Sequence, residues 1–113
     1  MSESAKKWEK ISGEYRRYIK FERRLSDNSV DAYMRDFEEF SHFVMRHWNV
    51  IPEKVASEHI ERYMAWLYSE GRSSASQARR LSGVKSFYNF LLLKDRVEQL
   101  PTEGVVAPKA GRI

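Results

Sequence analysis

Val30, Tyr33, Met34, Phe37, Phe40, Val44 and Trp48 follow one another at steps of three and four residues, and that spacing admits only one regular structure. Steps of three and four place side chains on one stripe of an α-helix, whereas a strand would need alternation. The residues between them, Asn28, Asp31, Arg35, Glu38, Glu39, His42 and Arg46, form the opposite, polar face. "LSDNSV" supplies the start of this helix: Ser26 is a suitable N-cap, and Asp27 falls in the first turn, where the helix dipole favours a negative charge. The helix is expected to end at about Trp48.

The same period recurs three more times, and no segment alternates in the manner of a strand. A first helix is expected from about Lys7 to Arg23, with Trp8, Ile11, Tyr15, Tyr18 and Ile19 on its apolar stripe, Glu22 one turn further on, and Gly13 a weak point inside it. After the connector "NVIPEKVAS", a third helix is expected from about Glu58 to Glu70, capped by Ser57 and burying Ile60, Tyr63, Met64 and Leu67. Gly71 suits the left-handed position that closes it. A fourth helix opens at Ser73 or Ser74, where Ser74 and Gln77 have capping-box spacing. It carries an apolar stripe of Ala78, Leu81, Val84, Tyr88, Leu91 and Leu92. The expectation is an all-α domain of four helices over residues 1–98. Residues 99–113, with two prolines and two glycines, read as an extended linker ending at a domain boundary.

Composition narrows the chemistry. A chain of 113 residues with 42% hydrophobic content supports one domain with a core. No apolar run approaches the roughly 18 to 20 residues of a membrane span, and the charged N-terminus lacks an apolar signal segment. A cytoplasmic location is the default. Without cysteine there are no disulfides, thiol nucleophiles or thiolate zinc sites. His42, His47 and His59 do not have the spacing of a metal site, and no nucleophile, base and oxyanion arrangement can be drawn. No cofactor or metal is expected, and the chain is not expected to be an enzyme.

The net charge of +4 is unevenly spread. Residues 1–70 hold twelve basic against thirteen acidic side chains, whereas residues 71–113 hold eight against three. In the fourth helix this excess meets small and hydroxylated residues: Ser76, Ser82, Gly83 and Ser86 on the outer face, surrounded by Arg72, Arg79, Arg80 and Lys85. Small residues permit close approach, hydroxyls bond phosphate oxygens, and a helix N-terminus offers free N–H groups. One reading is therefore a helix docked on DNA. The other is a solvated face with ordinary capping. The second half, where Phe87, Phe90 and Leu93 add to the stripe, is apolar nearly all round and must be covered, either by this domain or by a partner protein docked on the Phe87/Phe90/Leu93 surface.

Taken together, "LSDNSVDAYMRDFEEF", "YMAWLYSEGRSSASQARRLSGVKSFYNFLL" and "LPTEGVVAPKAGR" resemble the N-terminal core-binding domain of tyrosine recombinases of the Xer and phage-integrase type. The resemblance spans about Tyr15 to Arg112. It implies a SAM-like four-helix bundle that forms half of a C-shaped clamp on duplex DNA, with its second and fourth helices at the major groove and a linker to a C-terminal catalytic domain. It also implies contacts from Asn28, Ser29, Ala32 and Arg35 on the second helix, and from Ser74, Ser76, Gln77, Arg79, Arg80, Ser82, Lys85 and Ser86 on the fourth, with Arg72 and Ser73 meeting phosphate just before it. Asp36 would be structural and Tyr33 and Tyr88 core, because the family's nucleophilic tyrosine lies in the catalytic domain. The implied partners are double-stranded DNA and other recombinase protomers in a tetrameric synapse, the fragment alone being monomeric.

Overall fold

The computed structural model describes residues 2–106, and every described regular element is helical. Four α-helices follow in order: α1 (Glu3–Arg17), α2 (Asp27–His47), α3 (Ser57–Ser69) and α4 (Ser74–Leu93). A π-helical turn, Tyr18–Glu22, extends α1, and a short 3₁₀ turn, Pro52–Lys54, precedes α3. The chain divides into two compact units, Met1–Lys54 and Val55–Ile113.

In the first unit, α1 begins four residues before the expected Lys7. Ser2 is its N-cap and accepts the Ala5 N–H at 3.1 Å, with Glu3 in the first turn. This start carries no large apolar residue, so a reading keyed to Trp8 misses it. Trp8, Ile11, Tyr15 and Ile19 are buried, as are Val30, Met34, Phe37, Phe40 and Val44 of α2. Tyr33 and Trp48, expected on the same stripe, sit half-buried at its edges. Trp8 joins the two helices: its ring meets Phe37 at 5.9 Å and Phe40 at 6.1 Å. Its indole N–H donates to the Val50 carbonyl at 2.8 Å, satisfying the one polar group this buried ring carries. Ser4 adds a bond from its hydroxyl to the Asn49 carbonyl at 3.0 Å, so the start of α1 is held to the chain just past α2.

In the second unit, α3 is capped differently from the expectation. Ser57 lies inside the helix, and the cap position is Ala56, whose backbone N–H donates to His59 Nδ1 at 2.9 Å. An imidazole nitrogen thus does the reciprocal job of the glutamate in a capping box. Ile60, Tyr63, Met64 and Leu67 are buried as expected. So are Leu81, Val84, Phe87, Tyr88, Phe90 and Leu91 of α4, whereas Leu92 and Leu93 are exposed. Phe87 and Phe90, at 1% and 3% exposure, belong to the core, and no Phe87/Phe90/Leu93 docking surface exists. After α4 the chain is not extended at first. Residues 101–104 form a turn in which the Val105 N–H donates to the Thr102 carbonyl at 3.1 Å, and both side chains are buried. The rest of the expected linker, residues 107–113 with Lys109 and Arg112, lies outside the described residues.

Each helical segment closes through a left-handed residue. Arg24, Asn49 and Asp95 have φ of 56°, 52° and 57°, and Gly71 has φ of 79°. At α4 the Asp95 N–H bonds to the Leu92 carbonyl at 3.1 Å and the Arg96 N–H to that of Leu91 at 2.8 Å, the paired closure of a Schellman motif. Aspartate is a poor occupant of this position: it carries a Cβ at positive φ, and its charge opposes the dipole at a helix C-terminus. Asp95→Gly should therefore stabilise the domain by about 1 kcal/mol, raising the thermal midpoint measured by circular dichroism by a few degrees. Gly13 lies within α1, and a Cβ there would meet only the Arg17 guanidinium at 3.6 Å, an ordinary contact. Gly13→Ala should stabilise by ~0.5–1 kcal/mol in the same assay.

Candidate nucleic-acid interface

Between Arg72 and Lys94 the chain carries Arg72, Arg79, Arg80, Lys85 and Lys94 and no acidic residue. Helical geometry then sorts these side chains. Ala75, Arg79, Ser82, Lys85 and Asn89 are exposed, with Ala78 and Ser86 half-buried beside them. They recur at steps of three and four residues and so form one outward stripe. Ser74, Ser76 and Arg80 are half-buried beyond its margins. A stripe of cations, hydroxyls and small side chains that contains no acid produces a positive potential along about four turns of helix.

The loop that leads into this helix is held from three sides. Gly71 closes α3 in a Schellman motif: its own N–H bonds to the Tyr68 carbonyl at 3.0 Å and the Arg72 N–H to that of Leu67 at 3.2 Å. Ser73 is the N-cap of α4 and accepts the Ser76 N–H at 3.1 Å. Gln77, 5% exposed, donates from Nε2 to the Arg72 carbonyl at 2.9 Å. The expected Ser74–Gln77 capping box is therefore absent, and Gln77 is not a surface contact. Its sequence position, one turn into α4, fits both roles, and only burial separates them. The Arg72 guanidinium lies 5.7 Å above the Trp66 ring, a cation–π contact that orients it. Gly83, expected on the outer face, is buried instead. Asn89 extends the outward stripe beyond the expected contacts, and the three- and four-residue steps from Ser82 and Lys85 were the signal for it.

In the other unit, Ser26 caps α2 by accepting the Ser29 N–H at 3.2 Å, and its hydroxyl donates to that of Ser29 at 3.1 Å. Asn28 and Arg35 are exposed, and Ser29 and Ala32 half-buried, so the four expected residues lie along the first turns of α2. Two cations from outside α2 flank them. Arg16 approaches Asp31 at 3.9 Å, and the Arg23 guanidinium lies 5.7 Å from the Tyr33 ring. Both partners of the ion pair are about half exposed, so the pair adds little stability. Asp36 is buried, and Tyr88 fully so.

The histidines have local roles. His59 Nδ1 accepts the N–H of Ala56, the cap residue of α3, and His47 Nδ1 donates to the Phe43 carbonyl at 3.0 Å. Among the described residues no three His, Asp or Glu side chains are grouped to hold a metal ion, and no helix is long and apolar enough to cross a membrane.

Residues 13–95 match the family described as phage integrase, N-terminal SAM-like domain. Among curated proteins, a tyrosine recombinase of Pseudothermotoga lettingae is 34% identical over 106 residues, covering 92% of this chain and 37% of its own. Tyrosine recombinase XerC of Ralstonia pickettii is 35% identical over 94 residues, 81% of this chain and 29% of its own. Tyrosine recombinase XerD of Chlorobaculum tepidum is 29% identical over 112 residues, 99% of this chain and 36% of its own. The chain thus spans about a third of the length of the curated relatives it matches. No solved structure matches it. An all-helical fold of four α-helices, a match across most of its length and relatives of one kind agree: the chain belongs to the phage integrase N-terminal SAM-like domain family.

Proposed function

We propose that this chain is the DNA-gripping N-terminal part of a site-specific tyrosine recombinase, acting in the cytoplasm on double-stranded DNA. The observation that carries this reading is the acid-free outward stripe of α4, presented by a loop whose backbone is held in place by Gly71, Ser73 and Gln77. Arg72, Arg79, Arg80 and Lys85 neutralise phosphates, while Ser73, Ser74, Ser76, Ser82 and Ser86 offer hydroxyls and permit close approach. Asn28, Ser29, Ala32 and Arg35 form the corresponding face of α2, and Asn89 extends that of α4. Gln77 acts indirectly, by fixing Arg72. Strand cleavage and rejoining belong to other parts of the recombinase. Its protomers assemble on paired sites, whereas this chain by itself is monomeric in dilute solution.

Binding of this electrostatic kind has a dissociation constant of ~10⁻⁴ to 10⁻⁶ M and weakens steeply with salt. A salt titration on a duplex of about 30 base pairs tests it, because every phosphate that a variant no longer neutralises flattens the slope of log affinity against log salt by about 0.9. Arg79→Ala combined with Lys85→Ala should bind more weakly at every salt concentration and with a slope shallower by roughly 2. Binding that is indifferent to salt, or a double variant equal to the wild type, would sink the phosphate account. Gln77→Ala leaves the Arg72 carbonyl without its partner and should cost about 1–3 kcal/mol of stability. In the folded variant the salt slope should stay near the wild-type value, because no cation is removed.

A further inference from the structure

Tyr63, Trp66 and Arg72 form a short ladder of side chains that runs from the core of the second unit to its surface. Tyr63 is fully buried, and Trp66 and Arg72 are half-buried. One turn apart on α3, the Tyr63 and Trp66 rings stack with centroids 6.1 Å apart and planes 25° from parallel, a favourable aromatic arrangement. The core anchors the first ring, and the first ring supports the second. The Arg72 guanidinium then lies 5.7 Å from the centre of the Trp66 ring.

The same arginine is held at its backbone. Its N–H bonds to the Leu67 carbonyl at 3.2 Å, and its carbonyl accepts the Gln77 Nε2 amide at 2.9 Å. Arg72 lies between α3 and α4, outside both helices, where a side chain of this length would otherwise sample many rotamers. Instead it is tethered at amide, carbonyl and guanidinium, all by groups of its own unit. A mobile cation contributes charge to a phosphate contact. A fixed one also sets where the duplex lies, because phosphate contacts determine register and orientation.

We propose that Trp66 is a positioning residue: it holds the Arg72 guanidinium in one place beside the start of α4, so that Arg72 sets the register of this helix on a backbone phosphate. The inference rests on the DNA reading above and adds to it that one cation acts through geometry as well as charge. Two consequences follow from the chemistry. Lysine carries the same charge without the planar, delocalised head that pairs with an aromatic ring and a phosphate, so it cannot replace Arg72. Trp66 acts through Arg72, so its removal is felt in binding only while Arg72 is present.

The test extends the duplex salt titration to Trp66→Leu, Trp66→Phe, Arg72→Lys and Arg72→Ala, each verified by unchanged helical circular dichroism. Trp66→Leu should weaken binding by roughly 3- to 10-fold, the cost of ordering one long side chain on association. Trp66→Phe should fall between it and the wild type, and it carries the comparison if Trp66→Leu does not fold. Arg72→Lys should lose a similar factor. None of these three removes a cation, so their salt slopes stay at the wild-type value, whereas Arg72→Ala flattens the slope by about 0.9. In the Arg72→Ala background Trp66→Leu should cost nothing further, a coupling that general loss of structure would not produce. A measurement without DNA accompanies these: NMR relaxation of the Arg72 Nε–H group should show restricted fast motion that Trp66→Leu releases. A wild type that does not bind the duplex removes the DNA reading and this inference with it. A wild type that binds, with Trp66→Leu or Arg72→Lys equal to it, or with Trp66→Leu equally harmful in the presence and absence of Arg72, overturns this inference alone. So does an Arg72 Nε–H as mobile in the wild type as in Trp66→Leu.

Discussion

The hydrogen bond from the buried Gln77 amide to the Arg72 carbonyl is the contact on which the cationic end of the second unit depends. A four-residue connection between two helices has too few backbone bonds of its own to hold one conformation. Here the Schellman closure of α3 fixes its beginning, the Ser73 cap fixes its end, and Gln77 fixes the peptide between them. Arg72 is consequently presented from an ordered backbone, so little conformational entropy remains to be lost when its guanidinium meets an anion.

Charge is segregated in the same economical way. The outward stripe of α4 excludes acids entirely, whereas a cleft between α1 and α2 has Glu9 and Glu38 in its lining and no lysine or arginine. Neither arrangement changes the fold, because the charges lie on exposed faces while the apolar stripes carry the packing. What they change is which surfaces attract polyanions and which attract cationic segments. The proposed DNA grip rests on the first of these surfaces.

Much of the fold was legible as period and punctuation. The stripe of α2, the Ser26 cap and the left-handed Gly71 each follow from one local rule, and each holds. The misses are local. Ser2 caps α1 well ahead of Trp8, its first large apolar residue, and at α3 the cap position falls on Ala56, whose N–H bonds to His59, rather than on the expected Ser57. A reading keyed to apolar period overlooks the first, and one keyed to hydroxyl caps overlooks the second.

The candidate site shows the same division. Periodicity alone places Arg79, Ser82, Lys85 and Asn89 on the outward side of α4, since four or five such steps trace one stripe whatever lies opposite. It could not tell that Gly83 is buried or that Gln77 turns inward, because both flank the stripe at angles where either environment is possible. Nor could it separate core from docking surface for Phe87 and Phe90: an all-round apolar segment needs covering, but sequence does not name the cover. The sequence by itself determined the helices, their polar faces and the acid-free run from Arg72 to Lys94, all local properties of spacing and charge. Tertiary structure alone decided which flanking residues were desolvated, because burial depends on what distant segments bring alongside.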